Sequence, residues 1–171
     1  MDAHAPLLDA ETKVFERPGD HKEELRLWLR LLTCTAMVEG LVRTRLRERF
    51  GVTLPRFDLM AQLDKAPDGM TLGALSRRMM VSNGNVTGLV ERLAAQGQVE
   101  RLPHPTDRRA ATVRLTLEGR RRFAEMAAAH EGWIAGAFAD LAPGDVPALM
   151  GALARLKQSV GRTREGGSAT L

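Results

Sequence analysis

Residues 71–116 read TLGALSRRMM VSNGNVTGLV ERLAAQGQVE RLPHPTDRRA ATVRLT. Thr71 is placed to cap a short helix over 72–79, in which Leu72, Leu75 and Met79 face inward and Arg77 and Arg78 outward. Ser82 is placed to cap a second helix over 83–96, whose inward positions Val86, Leu89, Val90 and Leu93 recur at i, i+3, i+4 and i+7. Gly97 stops it. Val99–Leu102 then reads as a strand, His104–Ala110 as a loop and Ala111–Thr116 as a second strand. In the second strand Ala111, Val113 and Leu115 alternate with Thr112, Arg114 and Thr116.

Helix, short turn, helix and hairpin is the layout of a winged helix-turn-helix, a reader of DNA. Charge agrees: the stretch holds Arg77, Arg78, Arg92, Arg101, Arg108, Arg109 and Arg114 against Glu91, Glu100 and Asp107, a net +4. The whole chain is also +4, so the positive excess sits where a phosphate backbone would be met.

On a helical wheel, Gly84, Gly88 and Glu91 lie opposite the core face of the second helix, flanked by Asn85 and Thr87, with Asn83 at its leading end. Each outward glycine costs the helix roughly 1 kcal/mol. Two explanations stand open: tight packing on another helix, or close approach of the backbone to a major-groove floor. Asn83 and Asn85 suit an adenine edge, and Thr87 a thymine methyl. Ser82 and the free N–H groups at the helix start suit a phosphate, as do Arg77, Arg78 and Arg92. At the hairpin tip, an arginine can enter the minor groove while Asp107 pins its neighbour.

Outward from this stretch, 1–20 reads as a flexible arm with a short helix near Asp9–Phe15. Residues 21–50 read as a long helix, apolar on two stripes and stopped by Gly51. Thr53-Leu54-Pro55 opens the next helix, with Phe57, Met60, Ala61 and Leu63 on its buried side. Thr116 begins a helix to about Leu141. Asp145 opens the last one, with Val146, Leu149, Leu153, Leu156 and Val160 in an apolar seam. The tail 161–171 reads as disordered. The fold class is mainly α with a small β-hairpin, in a single domain over 21–160.

One cysteine excludes a disulfide framework and a Cys-based metal cluster, and fits a reducing cytoplasm. The N-terminus lacks the apolar core of a signal peptide. Enzyme motifs fail: His130-Glu131 opens an H-E-x-x-H pattern, but Ile134 stands at the second His. No cofactor and no metal site is read.

Leu75-Ser76, Val81-Ser82, Leu89-Val90-Glu91-Arg92-Leu93, Gly97-Gln98-Val99-Glu100-Arg101, Asp107-Arg108-Arg109, Val113-Arg114-Leu115-Thr116 and Gly119 together resemble the MarR family of bacterial transcription regulators. The resemblance covers about 21–160. It implies a winged helix-turn-helix at about 53–116 between dimerisation helices at about 21–50 and 117–160, in a homodimer reading a pseudo-palindromic operator. The family's Asp-x-Arg wing implies that Asp107 supports Arg109 and that Arg108 probes the minor groove.

The resemblance also implies a signal: a small ligand, often an aromatic acid, or an oxidant acting on a cysteine. Cys34 lies mid-helix in an apolar stretch and reads as buried and inert. The family's peroxide sensors use tyrosines, and this chain has none. Arg26 and Arg30, with Trp28 between them, can hold an aromatic carboxylate by charge and stacking, and Arg56, Phe57 and Met60 add to that set. The alternative for Trp28 is dimer core, and for the two arginines a solvated face. The expected function is therefore a cytoplasmic, dimeric repressor released from DNA by a small aromatic acid or its CoA thioester. The alternatives are a ligand-independent architectural DNA binder, a redox sensor through Cys34, or a protein-interaction module that never touches DNA.

Overall fold

The computed structural model describes residues 22–103 and 111–167. The N-terminal arm, the hairpin tip and residues 168–171 lie outside them, and so do the expectations made there. The chain divides into two compact units, one ending at Ile134 and the other beginning at Ala135.

In the first unit, α1 (Lys22–Phe50) carries Glu23 and Glu24 in its first turn and Arg47 and Arg49 in its last, each complementing the helix dipole. Gly51, at φ 64°, turns the chain out of it. Next comes α2 (Leu54–Asp64), with Pro55 at its start, where a missing N–H loses nothing. Then follow β1 (Met70–Thr71), α3 (Leu72–Met79), α4 (Asn83–Ala95), β2 (Val99–Pro103), β3 (Ala111–Leu115) and α5 (Leu117–Ala137).

The sheet order is β1-β3-β2, antiparallel throughout, with Met70 opposite Val113 and Val99 opposite Leu115. β1 was absent from the sequence reading. It is two residues long, so it has no period to read, and it exists only by pairing with β3. It also corrects the alternation expected for β3. Thr112 lies opposite Thr71, where it is buried at 7% exposure. Leu46, Leu59, Met60, Leu63, Leu75, Val86, Val90, Leu93, Val113, Leu115 and Met126 form the fully buried centre of one core.

Gly119 fixes how α5 enters this core. A Cβ there would collide with the backbone carbonyl of Gln98. That carbonyl accepts the Thr116 N–H at 3.1 Å, while the Thr116 hydroxyl donates to the Gly97 carbonyl at 2.7 Å and accepts the Gly119 N–H at 2.9 Å. The start of α5 is thus stitched to the turn that follows α4.

The second unit holds the end of α5 and α6 (Asp145–Gly167). The Asp145 carboxylate accepts the Ala142 N–H at 2.9 Å. The backbone of 161–167, which the sequence assigns to the tail, continues the helix. Val146, Leu149, Met150, Leu153, Leu156 and Val160 are all exposed.

Candidate nucleic-acid interface

The Thr71 hydroxyl accepts the Ala74 N–H at 3.2 Å and so caps α3. At the other end of α3, the N–H of Met80 bonds to Arg77 O at 3.4 Å and that of Val81 to Ser76 O at 3.2 Å, with Met80 at φ 55°. This pair of bonds is a Schellman closure. The Ser76 hydroxyl adds a 2.6 Å bond to the Val81 carbonyl. Ser76 therefore holds both backbone groups of Val81 and sets the angle between α3 and α4. This job of Ser76 is not legible in sequence, because a serine mid-helix carries no signal of what its hydroxyl meets five residues on.

Ser82 caps α4 as expected, accepting the Asn85 N–H at 3.3 Å. Val86, Val90 and Leu93 are fully buried and Leu89 packs partly against them. Asn83, Gly84 and Asn85 are exposed. A Cβ built on Gly84 or on Gly88 meets nothing within 4 Å. Among the described residues the glycines pack against no other helix, so the first of their two explanations loses its support. Thr87 is half-buried, and its hydroxyl donates to the Asn83 carbonyl at 2.9 Å, which fixes its rotamer.

Arg77, Arg78 and Arg92 are exposed and form no ion pair with a described residue. Two other arginines of the stretch face acids. Arg114 meets Glu100 across the hairpin at 2.7 Å, and Arg101 lies 4.0 Å from Glu91. The positive charge left over thus sits on α3 and α4. Arg108, Arg109 and Asp107 lie outside the described residues.

The six residues expected to share a ligand site are not brought together. Phe57 and Met60 are core residues, with the Phe57 ring tilted against Phe123 at 5.5 Å and His130 at 5.1 Å between centroids. Their i, i+3 spacing belongs to the buried stripe of α2. Trp28 is exposed at 55%. Arg26 and Arg30 line one hollow of about 300 Å³ with Glu23 and Leu27. Arg56 lines another of about 260 Å³ with Phe50, Gln96, Gln98, Glu118 and Arg122. Here Arg122 donates to the Phe50 carbonyl at 2.9 Å, and Gln98 buries a side-chain oxygen that has no hydrogen-bond partner among the described residues. Glu118 stands at its edge with its carboxyl below the usual range, chiefly because Arg121 hydrogen-bonds it. Sequence reading missed Gln98 and Arg122, which come from two distant elements.

Cys34 is exposed, correcting the expectation of burial. Apolar neighbours in sequence implied a packed helix, but in α1 only Thr33, Val42 and Leu46 are buried. Among the described residues no group of acids, histidines and cysteine is placed to hold a metal, and no helix is long and apolar enough to cross a membrane.

A family profile described as the MarR family matches residues 50–110. The transcriptional activatory protein BadR of Rhodopseudomonas palustris is 36% identical over 109 residues, 61% of this chain and 62% of BadR. The chain thus spans just under two thirds of that relative. The HTH-type transcriptional repressor YetL of Bacillus subtilis is 31% identical over 81 residues, 47% of this chain and 48% of YetL. Among solved structures, a MarR family transcriptional regulator from Silicibacter pomeroyi is 31% identical, with a TM-score of 0.71 over 84% of this chain and 99% of that one.

Proposed function

Because the chain belongs to the MarR family of transcription regulators, we propose that it binds a pseudo-palindromic DNA operator as a homodimer and represses the genes beside it. The observation that carries this reading is the outward face of α4, where Asn83 and Asn85 are exposed beside two glycines with open space above them. Such a face lets a helix backbone descend into a major groove, with Asn83 and Asn85 at base edges and Ser82, Arg77, Arg78 and Arg92 at phosphates. Thr87 meets a thymine methyl, Arg108 enters the minor groove, and Asp107 holds Arg109.

Dimerisation rests on apolar surface. Leu25, Leu27, Trp28, Leu32 and Met37 of α1 are exposed, as is the seam of α6. Exposed side chains of this number and spacing mark an interface. For two α4 helices to enter successive major grooves on one DNA face, the dimer holds them roughly 34 Å apart.

The signal is a small carboxylic acid. The hollow of about 260 Å³ brings Arg56 and Arg122 together, two guanidiniums for a carboxylate. It falls below the roughly 300–1,000 Å³ of pockets for drug-sized ligands, which favours a monocyclic acid over a CoA thioester. Such a ligand lowers DNA affinity to the extent that it prefers a different arrangement of the reading helices.

Gel shifts on the chain's own upstream promoter region, at low and high salt and across a panel of monocyclic aromatic acids, test this reading. Absence of a shift at low salt refutes DNA binding, and a shift that no acid alters refutes the signal. A reporter behind the bound site decides the sign of regulation, for which BadR's and YetL's names point in opposite directions.

A further inference from the structure

The chain closes two successive helices with the same backbone device. After α4, Gly97 takes φ 68°, its N–H bonds to Ala94 O at 2.9 Å, and the Gln98 N–H bonds to Leu93 O at 2.9 Å. After α3, Met80 takes φ 55°, with the matching bonds from Met80 to Arg77 and from Val81 to Ser76. The left-handed position of this closure favours glycine, since a Cβ there is strained against its own backbone. α4 follows that preference and α3 does not. Met80 is the one described non-glycine residue with positive φ.

The methionine brings no packing that would offset its strain. It is 91% exposed, whereas its neighbours Met79 and Val81 both pack against the core. Its place in the fold gives it another use. It stands at the elbow between Arg77-Arg78 and Ser82-Asn83. In a helix-turn-helix the first helix crosses the DNA backbone and the start of the second enters the major groove. A side chain exposed at the elbow lies between those two, at the edge of the groove.

We propose that Met80 is a specificity-determining contact that meets a thymine C5-methyl group at the edge of each operator half-site. A methionine cannot grip a phosphate, so it adds nothing to sequence-independent binding. The thymine methyl is the apolar feature that base pairs present in the major groove. An unbranched thioether has the reach and adaptability to cover it. The inference rests on α4 being the reading helix.

The test uses the full-length protein and a duplex carrying its own footprinted upstream site, with a scrambled duplex as reference. Met80→Gly removes the side chain and the strain, and Met80→Asn keeps a residue that tolerates left-handed backbone but lacks an apolar tip. Both are expected to weaken the specific site roughly 5- to 10-fold, the scale of one apolar contact, and to leave the scrambled duplex unchanged. Replacing thymine by uracil one position at a time should find a position in each half-site where wild type loses the same factor and both variants lose nothing. Full affinity of both variants, with Asn83→Ala and Asn85→Ala still defective, overturns the Met80 contact and leaves the reading of α4 standing. Full affinity of all four overturns both. Equal weakening on the scrambled duplex also overturns the proposal, since Met80 would then act on the turn and not on a base.

Discussion

Gly88→Ala separates the two explanations of the outward glycines, because they give its effect on stability opposite signs. Gly88 lies in the interior of α4, where glycine costs about 1 kcal/mol relative to alanine. The new methyl would meet nothing within 4 Å. The free protein should therefore gain close to that whole amount, which for a chain of this length raises the melting temperature by about 2–4 °C. In the proposed complex the same methyl would stand between the helix backbone and the groove floor. Lifting the helix lengthens the hydrogen bonds of Asn83 and Asn85 at once, so a loss of at least about 1.4 kcal/mol, or ten-fold, is expected. Gly84→Ala should gain less stability, because it sits in the first turn, where helical hydrogen bonding is incomplete. Circular-dichroism melts of the free protein and fluorescence-anisotropy titrations of a labelled operator read the two effects separately. A lowered melting temperature would show that Gly88 packs against something. A raised one with unchanged affinity would show that the backbone never approaches the bases.

Three further outcomes are expected. Gly119→Ala should destabilise the fold by about 1–3 kcal/mol in urea titrations, since its methyl would have to displace the Gln98 carbonyl; an unchanged midpoint would refute the close contact. Asp58 has its carboxyl raised above the usual range, first by burial, then by Glu39, against a smaller opposing effect of His130. A raised folded-state value favours folding at acid pH and is lost as pH rises through it, so the advantage of Asp58→Asn over wild type should grow from about pH 4 to pH 7, and a gap independent of pH would refute the assignment. Arg108→Ala should weaken operator binding by about 1–3 kcal/mol, and wild-type affinity would sink its place in the minor groove.

What the sequence made legible was local. Ser82, Val86, Val90 and Leu93 specify α4 with no help from distant residues, since a cap and a 3.6-residue period lie within a dozen positions. The roles of Ser76 and Gly119 are not legible in sequence, because their partners, the Val81 and Gln98 carbonyls, are backbone atoms that any residue carries. β1 and the burial of Thr112 depend on pairing across some forty residues. The ligand set failed for a related reason. Phe57 and Met60 have side chains that suit an aromatic acid, but those same side chains suit a core, and only α5 packing against α2 decides between them. Cys34 erred in the other direction: an apolar run identifies a helix, not the presence of a neighbour to bury it.

On the proposed function, the sparseness of free charge on α3 and α4 would give α6 a part in DNA binding that it need not touch DNA to play. Of the arginines described between 71 and 116, Arg101 and Arg114 face acids, which leaves Arg77, Arg78 and Arg92 for phosphates. Three phosphate contacts give a slope of log affinity against log salt of about −2.7 for one protomer, and about −5.4 for two acting together. One protomer alone therefore grips weakly at physiological salt. Joining two turns the second half-site into an intramolecular contact at high effective concentration. The exposed seam of α6, from Val146 to Val160, is apolar surface able to make that join. A chain ending before Asp145 should then keep its α4 face yet bind with about half the salt slope and far lower affinity at 150 mM salt. Sedimentation should find it monomeric. A truncated chain that stays dimeric, or that keeps the full slope, would place the join elsewhere and remove α6 from the account.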